Sequence, residues 1–167
     1  MKNKYYQYFV EGEDEKKLLN TLKNQLRVIQ PGKVQKLNVV ESKISTNIIR
    51  TLKQGTIVIL VFDTDTNNTD ILNWNIKKLN DSHVISKVIT VPQVKNLEDE
   101  LLRSCNIKDI KDLLNSRSKK EYKSDLIRVT NLDAKLIEHS FDISLFWNKQ
   151  PGIPYQHIIN GSAEIKI

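Results

Sequence analysis

Apolar positions along this chain follow two alternating periods. Residues 5–10, YYQYFV, form a short apolar and aromatic run that breaks at Gly12, and Leu18, Leu19, Leu22 and Leu26 then recur at helical spacing. This predicts a strand followed by an amphipathic helix, with Pro31-Gly32 as its stop. A second strand is predicted over 36–40. A helix is predicted over 44–53, where Ile44, Ile48 and Leu52 share a face, Ser42 or Ser45 is available as cap and Gly55 ends the element. Residues 56–62, TIVILVF, are the most apolar run of the chain and are mostly β-branched. That composition marks a central strand covered on both faces. A loop, DTDTNN, leads to a helix over about 70–79 capped by Thr69, and then to a strand over 84–91.

Strands alternating with helices through short connections predict a right-handed βαβ series. The expected class is α/β, a Rossmann-like three-layer fold with a mainly parallel four-stranded sheet. Beyond Pro92 the period becomes helical: Asn96 reads as the N-cap of a helix over 97–104, with others near 107–115, 118–127 and 131–139 and a short one in FDISLFWNK. No repeat, low-complexity tract or linker interrupts the chain. Residues 1–102 are therefore expected to form an α/β core, and 103–167 a mainly helical extension packed on it as one unit.

Composition narrows the function classes. No run approaches the roughly 18–20 apolar residues of a membrane span, and the N-terminal stretch turns acidic before a signal-peptide core can form, so a soluble cytoplasmic protein is expected. The single cysteine, Cys105, has no partner for an internal disulfide, and His83, His139 and His157 are too scattered to join it at zinc. A bound metal must therefore be held by carboxylates. The net charge of +6 is uneven: residues 103–128 carry eight basic against four acidic side chains. Such a strip collects phosphate backbone, or is simply a solvated helix face.

Ligands of an open parallel sheet bind beyond the carboxyl ends of its strands, where strand order reverses. Glu11 follows the first predicted strand, and Asp63 and Asp65 follow the third. In a 2-1-3-4 order these acids face one crevice. Asp63 and Asp65 are two apart and point to the same side of an extended segment, while Glu15, one turn beyond Glu11, can point back to the same mouth. Carboxylates gathered this way repel one another without a cation, and oxygen ligation favours Mg²⁺ or Mn²⁺ over zinc. Read separately, Glu13 and Asp14 are first-turn acids that complement the helix dipole, and DTDTNN is a polar capping loop.

FVEGEDE, followed about fifty residues later by IVILVFDTD, resembles the Toprim domain shared by topoisomerases, primases and the overcoming-lysogenization-defect (OLD) nucleases. The family pattern is a hydrophobic strand ending in Glu-Gly and a later one ending in Asp-x-Asp. Glu11-Gly12 and Asp63-Thr64-Asp65 match it, and Glu15 looks like the extra glutamate of the OLD-like branch. The resemblance covers residues 4–102 and implies a Rossmann-like sheet with Mg²⁺-dependent phosphodiester chemistry. On that basis Asp63 and Asp65 would hold metal, Glu11 would bind metal or act as general acid/base, and Glu15 would help a second ion in a two-metal in-line displacement. In VPQVKNLEDELL, Lys95 would stabilise developing charge and Glu98 would add a ligand, against the plainer reading of a capped helix with acids in its first turn.

The chain shows neither the tyrosine-bearing domain of the topoisomerases nor a primase module, so cutting by water fits best. OLD-like nucleases commonly work with an ABC-type ATPase, and the chain has no G-x-x-x-x-G-K-[ST] loop of its own. The resemblance therefore implies an ATPase in trans, DNA or RNA as substrate, pairing into a homodimer to cut duplexes, and a role in antiphage defence. Two other readings stand beside it. VFDTDTNN is also similar to the Asp-x-Asp-x-Thr motif of haloacid-dehalogenase-like phosphatases, with Asp63 as nucleophile and Asp65 as acid/base, but this leaves Glu11 unexplained and Asn67 departs from the pattern. The other reading is a Toprim-like module that binds nucleic acid or a partner protein through residues 103–128 without cutting, its binding weakening steeply with salt.

Overall fold

The computed structural model describes residues 4–167. At its centre lies β3 (Thr56–Asp63), where residues alternate between two cores: Ile59 and Val61 face one, Val58, Leu60 and Phe62 the other. Such double burial is why the strand reads as an unbroken apolar run. β1 (Tyr6–Val10) pairs with β3 on one side and with β2 (Lys33–Lys36) on the other, and β4 (Ile85–Gln93) flanks the far side of β3. All pairs are parallel and the order is β2-β1-β3-β4. Among the described residues the protein is thus an α/β fold with a four-stranded parallel sheet covered by helices.

The first face carries α1 (Glu13–Asn24), α4 (Leu97–Ser104), α5 (Lys119–Arg128) and α6 (Leu132–Glu138). Leu18 and Leu22 of α1, Leu101 of α4, Leu126 of α5 and Leu136 of α6 share one core with Tyr8, Val10, Ile59, Val61 and Val91 of the sheet. Phe146, Trp147 and Ile165 complete it. The second face carries α2 (Thr46–Arg50) and α3 (Asp70–Asn80), which close with Tyr155 and Ile158 over Phe9, Val58, Leu60 and Phe62. Each fully buried large apolar side chain contributes about 1.5–3 kcal/mol. No helix among the described residues is long and apolar enough to cross a membrane.

Several elements depart from the sequence pattern. α1 stops at Asn24, well before Pro31-Gly32, because Arg27 turns the chain in the left-handed region (φ 55°) and Ile29 then bridges antiparallel to Lys166. β2 covers Lys33–Lys36 rather than 36–40: Asn38 accepts the Val40 and Glu41 N–H groups at 3.1 and 3.3 Å, so Val39 and Val40 are buried in a turn. α2 is five residues long, with Ser45 rather than Ser42 as cap, accepting the Ile48 N–H. Thr69 precedes α3 without a side-chain cap bond. β4 runs through Pro92 to Gln93, tolerable because an edge strand can lose one N–H. The helix expected near 107–115 shrinks to a 3-10 turn, Ile110–Leu113, and FDISLFWNK forms turns instead of a helix.

Candidate functional site

The strand order places the ends of β1 and β3 side by side at the carboxyl edge of the sheet. Glu11, Asp63 and Asp65 emerge there and line one small pocket of about 190 Å³, together with Asn38, Glu41 and Thr66. Glu41 is a fourth acid that the sequence reading passed over, although it follows β2 at the same edge. It is held in place from two directions. Asn38 caps its turn, and Asn75 of α3, fully buried, accepts the Ile44 N–H at 2.8 Å while donating to the carbonyls of Val39 and Ser42 at 2.8 and 2.9 Å.

Thr64, between the two aspartates, stitches the end of β3 to that of β4. Its N–H reaches the Gln93 and Lys95 carbonyls at 3.1 and 3.0 Å, and its hydroxyl donates to the Gln93 carbonyl and accepts the Lys95 N–H, both at 3.0 Å. Lys95 is thereby fixed beside the aspartate loop, exposed and in the left-handed region at φ 68°. For a lysine this conformation is uncommon and costs about 1 kcal/mol or more.

The acids repel. Burial raises the Asp63 carboxyl to about 8, helped by the charges of Glu11, Asp65 and Glu98 and opposed by a hydrogen bond from Gln93. Burial also raises Glu11, with the backbone of Asp63 opposing and Asp65, Glu41 and Asp14 adding to the rise. Near neutral pH Asp63 therefore retains a proton that a cation would displace.

Glu15 and Glu98 stand on the other flank. Glu15 is 3% exposed and accepts the Gly12 N–H at 2.9 Å, one half of a capping box whose other half glycine cannot supply. A methyl group at Gly12 would meet Asp14 Oδ1 at 2.7 Å and Glu15 Oε2 at 3.0 Å, so glycine lets these carboxylates fold back over the strand end. Burial and a shared hydrogen bond with Asp14 push the Glu15 carboxyl up to about 9. Glu98 is half-buried and pairs with Lys123 at 3.2 Å. Its charge reaches Asp63, as does the mutual repulsion between Asp63 and Glu15. Glu98 also borders a cleft of about 510 Å³ between α4 and α5, lined by Lys108, Lys119, Lys120 and Lys123.

Of the acids expected from sequence, Glu11, Asp63 and Asp65 thus share one pocket, with Glu15 and Glu98 adjoining through their charges. Among the described residues no three carboxylate, imidazole or thiolate groups close on one point as a preassembled ligand set. The donors nonetheless fit Mg²⁺ or Mn²⁺: they are all oxygen, partly desolvated and more acidic in number than their surroundings neutralise. Cys105, half-buried with its thiol pushed up to about 11 by burial, lies outside the pocket. A larger cleft of about 630 Å³, between α3 and β4, is less suited to this chemistry because its two acids, Asp81 and Glu164, are each paired with a lysine. No family model matches the chain, and no curated protein or solved structure matches it.

Proposed function

We propose that the protein is a Mg²⁺- or Mn²⁺-dependent nuclease of the Toprim type that hydrolyses phosphodiester bonds of DNA or RNA. The observation that carries this reading is the meeting of Glu11 with Asp63 and Asp65 around one pocket at the carboxyl ends of neighbouring strands, from two parts of the sequence about fifty residues apart. Asp63, Asp65 and Glu11 would hold one divalent ion, with Glu15 and Glu98 as donors toward a second. Bound ions of this kind activate water and stabilise the leaving oxygen of an in-line displacement. Glu11, raised above an ordinary carboxyl by burial and by its acidic neighbours, is the more basic for it and would accept the proton of the attacking water. Lys95 offers a cation beside the aspartate loop to the charge developing on phosphate, and the lysines of the α4–α5 cleft offer contacts for the rest of the strand.

The test is incubation with supercoiled and linear DNA and with structured RNA, with and without Mg²⁺ or Mn²⁺, beside Glu11→Gln, Asp63→Asn and Lys95→Ala. Metal-dependent cleavage is expected, falling at least ~100-fold in the two acid variants and less in Lys95→Ala, with nucleic-acid affinity unchanged in the last. Cleavage that survives both acid substitutions would sink the site assignment. A second reading, nucleic-acid binding without cutting, draws on the lysine-lined cleft and on the engagement of Glu15 at the helix cap. It predicts salt-sensitive binding and intact substrate even with an ABC-type ATPase added, whereas phosphate release from p-nitrophenyl phosphate would favour phosphatase chemistry at Asp63.

A further inference from the structure

Asp63 is held from behind by a chain of buried polar groups that starts far away in sequence. The parallel register sets Gln93 of β4 directly beside Asp63 of β3. Gln93 is fully buried, and its Nε2 donates to Asp63 Oδ1 at 2.7 Å. A glutamine amide has two nearly isosteric orientations, and only one presents a donor to a carboxylate. The choice is made by Trp147, whose indole Nε1–H donates to Gln93 Oε1 at 3.2 Å. An indole nitrogen can only donate, so the amide is held with its oxygen toward Trp147 and its NH₂ toward Asp63.

Trp147 is itself anchored. It is fully buried and sits in the left-handed region at φ 57°, a backbone conformation a bulky residue keeps only when its surroundings impose it. Its N–H donates to Glu100 Oε2 at 3.0 Å, and its carbonyl accepts from Ser162 Oγ at 2.7 Å and Asn160 Nδ2 at 2.7 Å. Glu100, also fully buried, accepts the Val94 N–H at 2.8 Å and pairs with Arg103 at 2.6 Å. Packing alone asks for none of these polar contacts: an apolar side chain at position 93 would fill the same core next to Val91. A buried amide that bonds a site carboxylate and is fixed by a third group is the arrangement by which outer partners set the orientation of metal ligands.

We propose that Gln93, with its amide orientation fixed by Trp147, is the positioning residue that aims the Asp63 carboxylate for cation binding. This rests on the reading that Asp63 is a ligand of a divalent ion. The test compares wild type, Asp63→Asn, Gln93→Met and Trp147→Phe for Mn²⁺ affinity by calorimetry, for kcat and KM on the cleaved nucleic acid, and for cooperative thermal melting. Gln93→Met keeps the length of the side chain and removes the donor. It is expected to melt cooperatively yet to bind Mn²⁺ about 10–100-fold more weakly, with kcat lowered and KM for nucleic acid unchanged. Trp147→Phe removes the indole N–H and frees the amide to flip, so a smaller loss of the same kind is expected. Mn²⁺ affinity at the wild-type level in Gln93→Met, while Asp63→Asn abolishes binding, would overturn the positioning role and leave the site reading intact. Failure of the wild-type protein to bind Mn²⁺ would overturn both. Should Gln93→Met melt without cooperativity, undiminished Mn²⁺ affinity in a folded Trp147→Phe protein would still overturn the proposal.

Discussion

Asp63 is, with Glu15, one of the two carboxyls at the site that the fold displaces furthest. Its carboxyl is lifted from an ordinary 3.8 to about 8, so the folded protein binds a proton that the unfolded chain releases between those values. Stability of the metal-free protein is therefore greatest on the acid side and falls as pH rises from about 4 to about 8. Glu15, lifted to about 9, acts in the same direction. Thermal melts in chelator are expected to lose at least ~1 kcal/mol between pH 5.5 and 8.5, and Asp63→Asn to recover much of that loss. A profile that is flat in wild type, or equally steep in the variant, would contradict the origin assigned to it. At Gly12 the backbone is extended and the demand is for space, so Gly12→Ala is expected to displace the Asp14 and Glu15 carboxylates and cost about 0.5–1 kcal/mol through the lost cap, measurable by urea denaturation. Glu11 and Asp63 were legible because each directly follows an apolar run, and Asp65 because it stands two residues beyond Asp63. Glu41 obeys the same rule, directly following Val39-Val40, and was equally legible, whereas Gln93 leaves only a faint trace as a polar residue closing the run VITVPQ.

Elements were legible in proportion to how local their causes are. β3 and α4 appear where the pattern puts them, the first through its unbroken apolar run and the second through the Asn96 cap, which accepts the Asp99 N–H at 3.0 Å. β2 was displaced because Val39 and Val40 are apolar for the sake of a buried turn, and periodicity does not separate a buried turn from a strand. The segment FDISLFWNK owes its shape to Glu100 and Gln93, about fifty residues away, so no local pattern could reveal it. The β2–α2 connection depends in the same way on one side chain of α3. Asn75→Ala would strand the buried Ile44 N–H and two carbonyls, with an expected loss of about 1–3 kcal/mol in urea denaturation. Glu41 would lose its support at the same time, and an unshifted denaturation midpoint would show that water replaces the amide without penalty.

Among the described residues the two signs of charge are partly sorted by place: acids converge at the ends of β1 and β3, while in the α4–α5 cleft four lysines outnumber Glu98, Asp99 and Asp109, Lys119 pairing with Asp109 and Lys123 with Glu98. Removing Lys108, Lys119 and Lys120 together is expected to flatten the log–log salt dependence of nucleic-acid binding by about 2–3 units, if each meets one phosphate. A slope that does not move would take the cleft out of the substrate's path. The sorting was only half legible, since the charge excess of residues 103–128 is plain in sequence but its position next to the acids depends on how α5 packs. The polar chain behind Asp63 has an optical consequence as well. The protein has two tryptophans. Trp74 is 39% exposed between Lys43 and Lys78, whereas Trp147 is fully buried with its indole hydrogen-bonded one residue away from the aspartate. In a Trp74→Phe protein the remaining fluorophore would sense any change in how strongly Gln93 is drawn toward Asp63. The fold thus contains a label-free emission gauge, and titrating Mg²⁺ against its wavelength would show when the site fills.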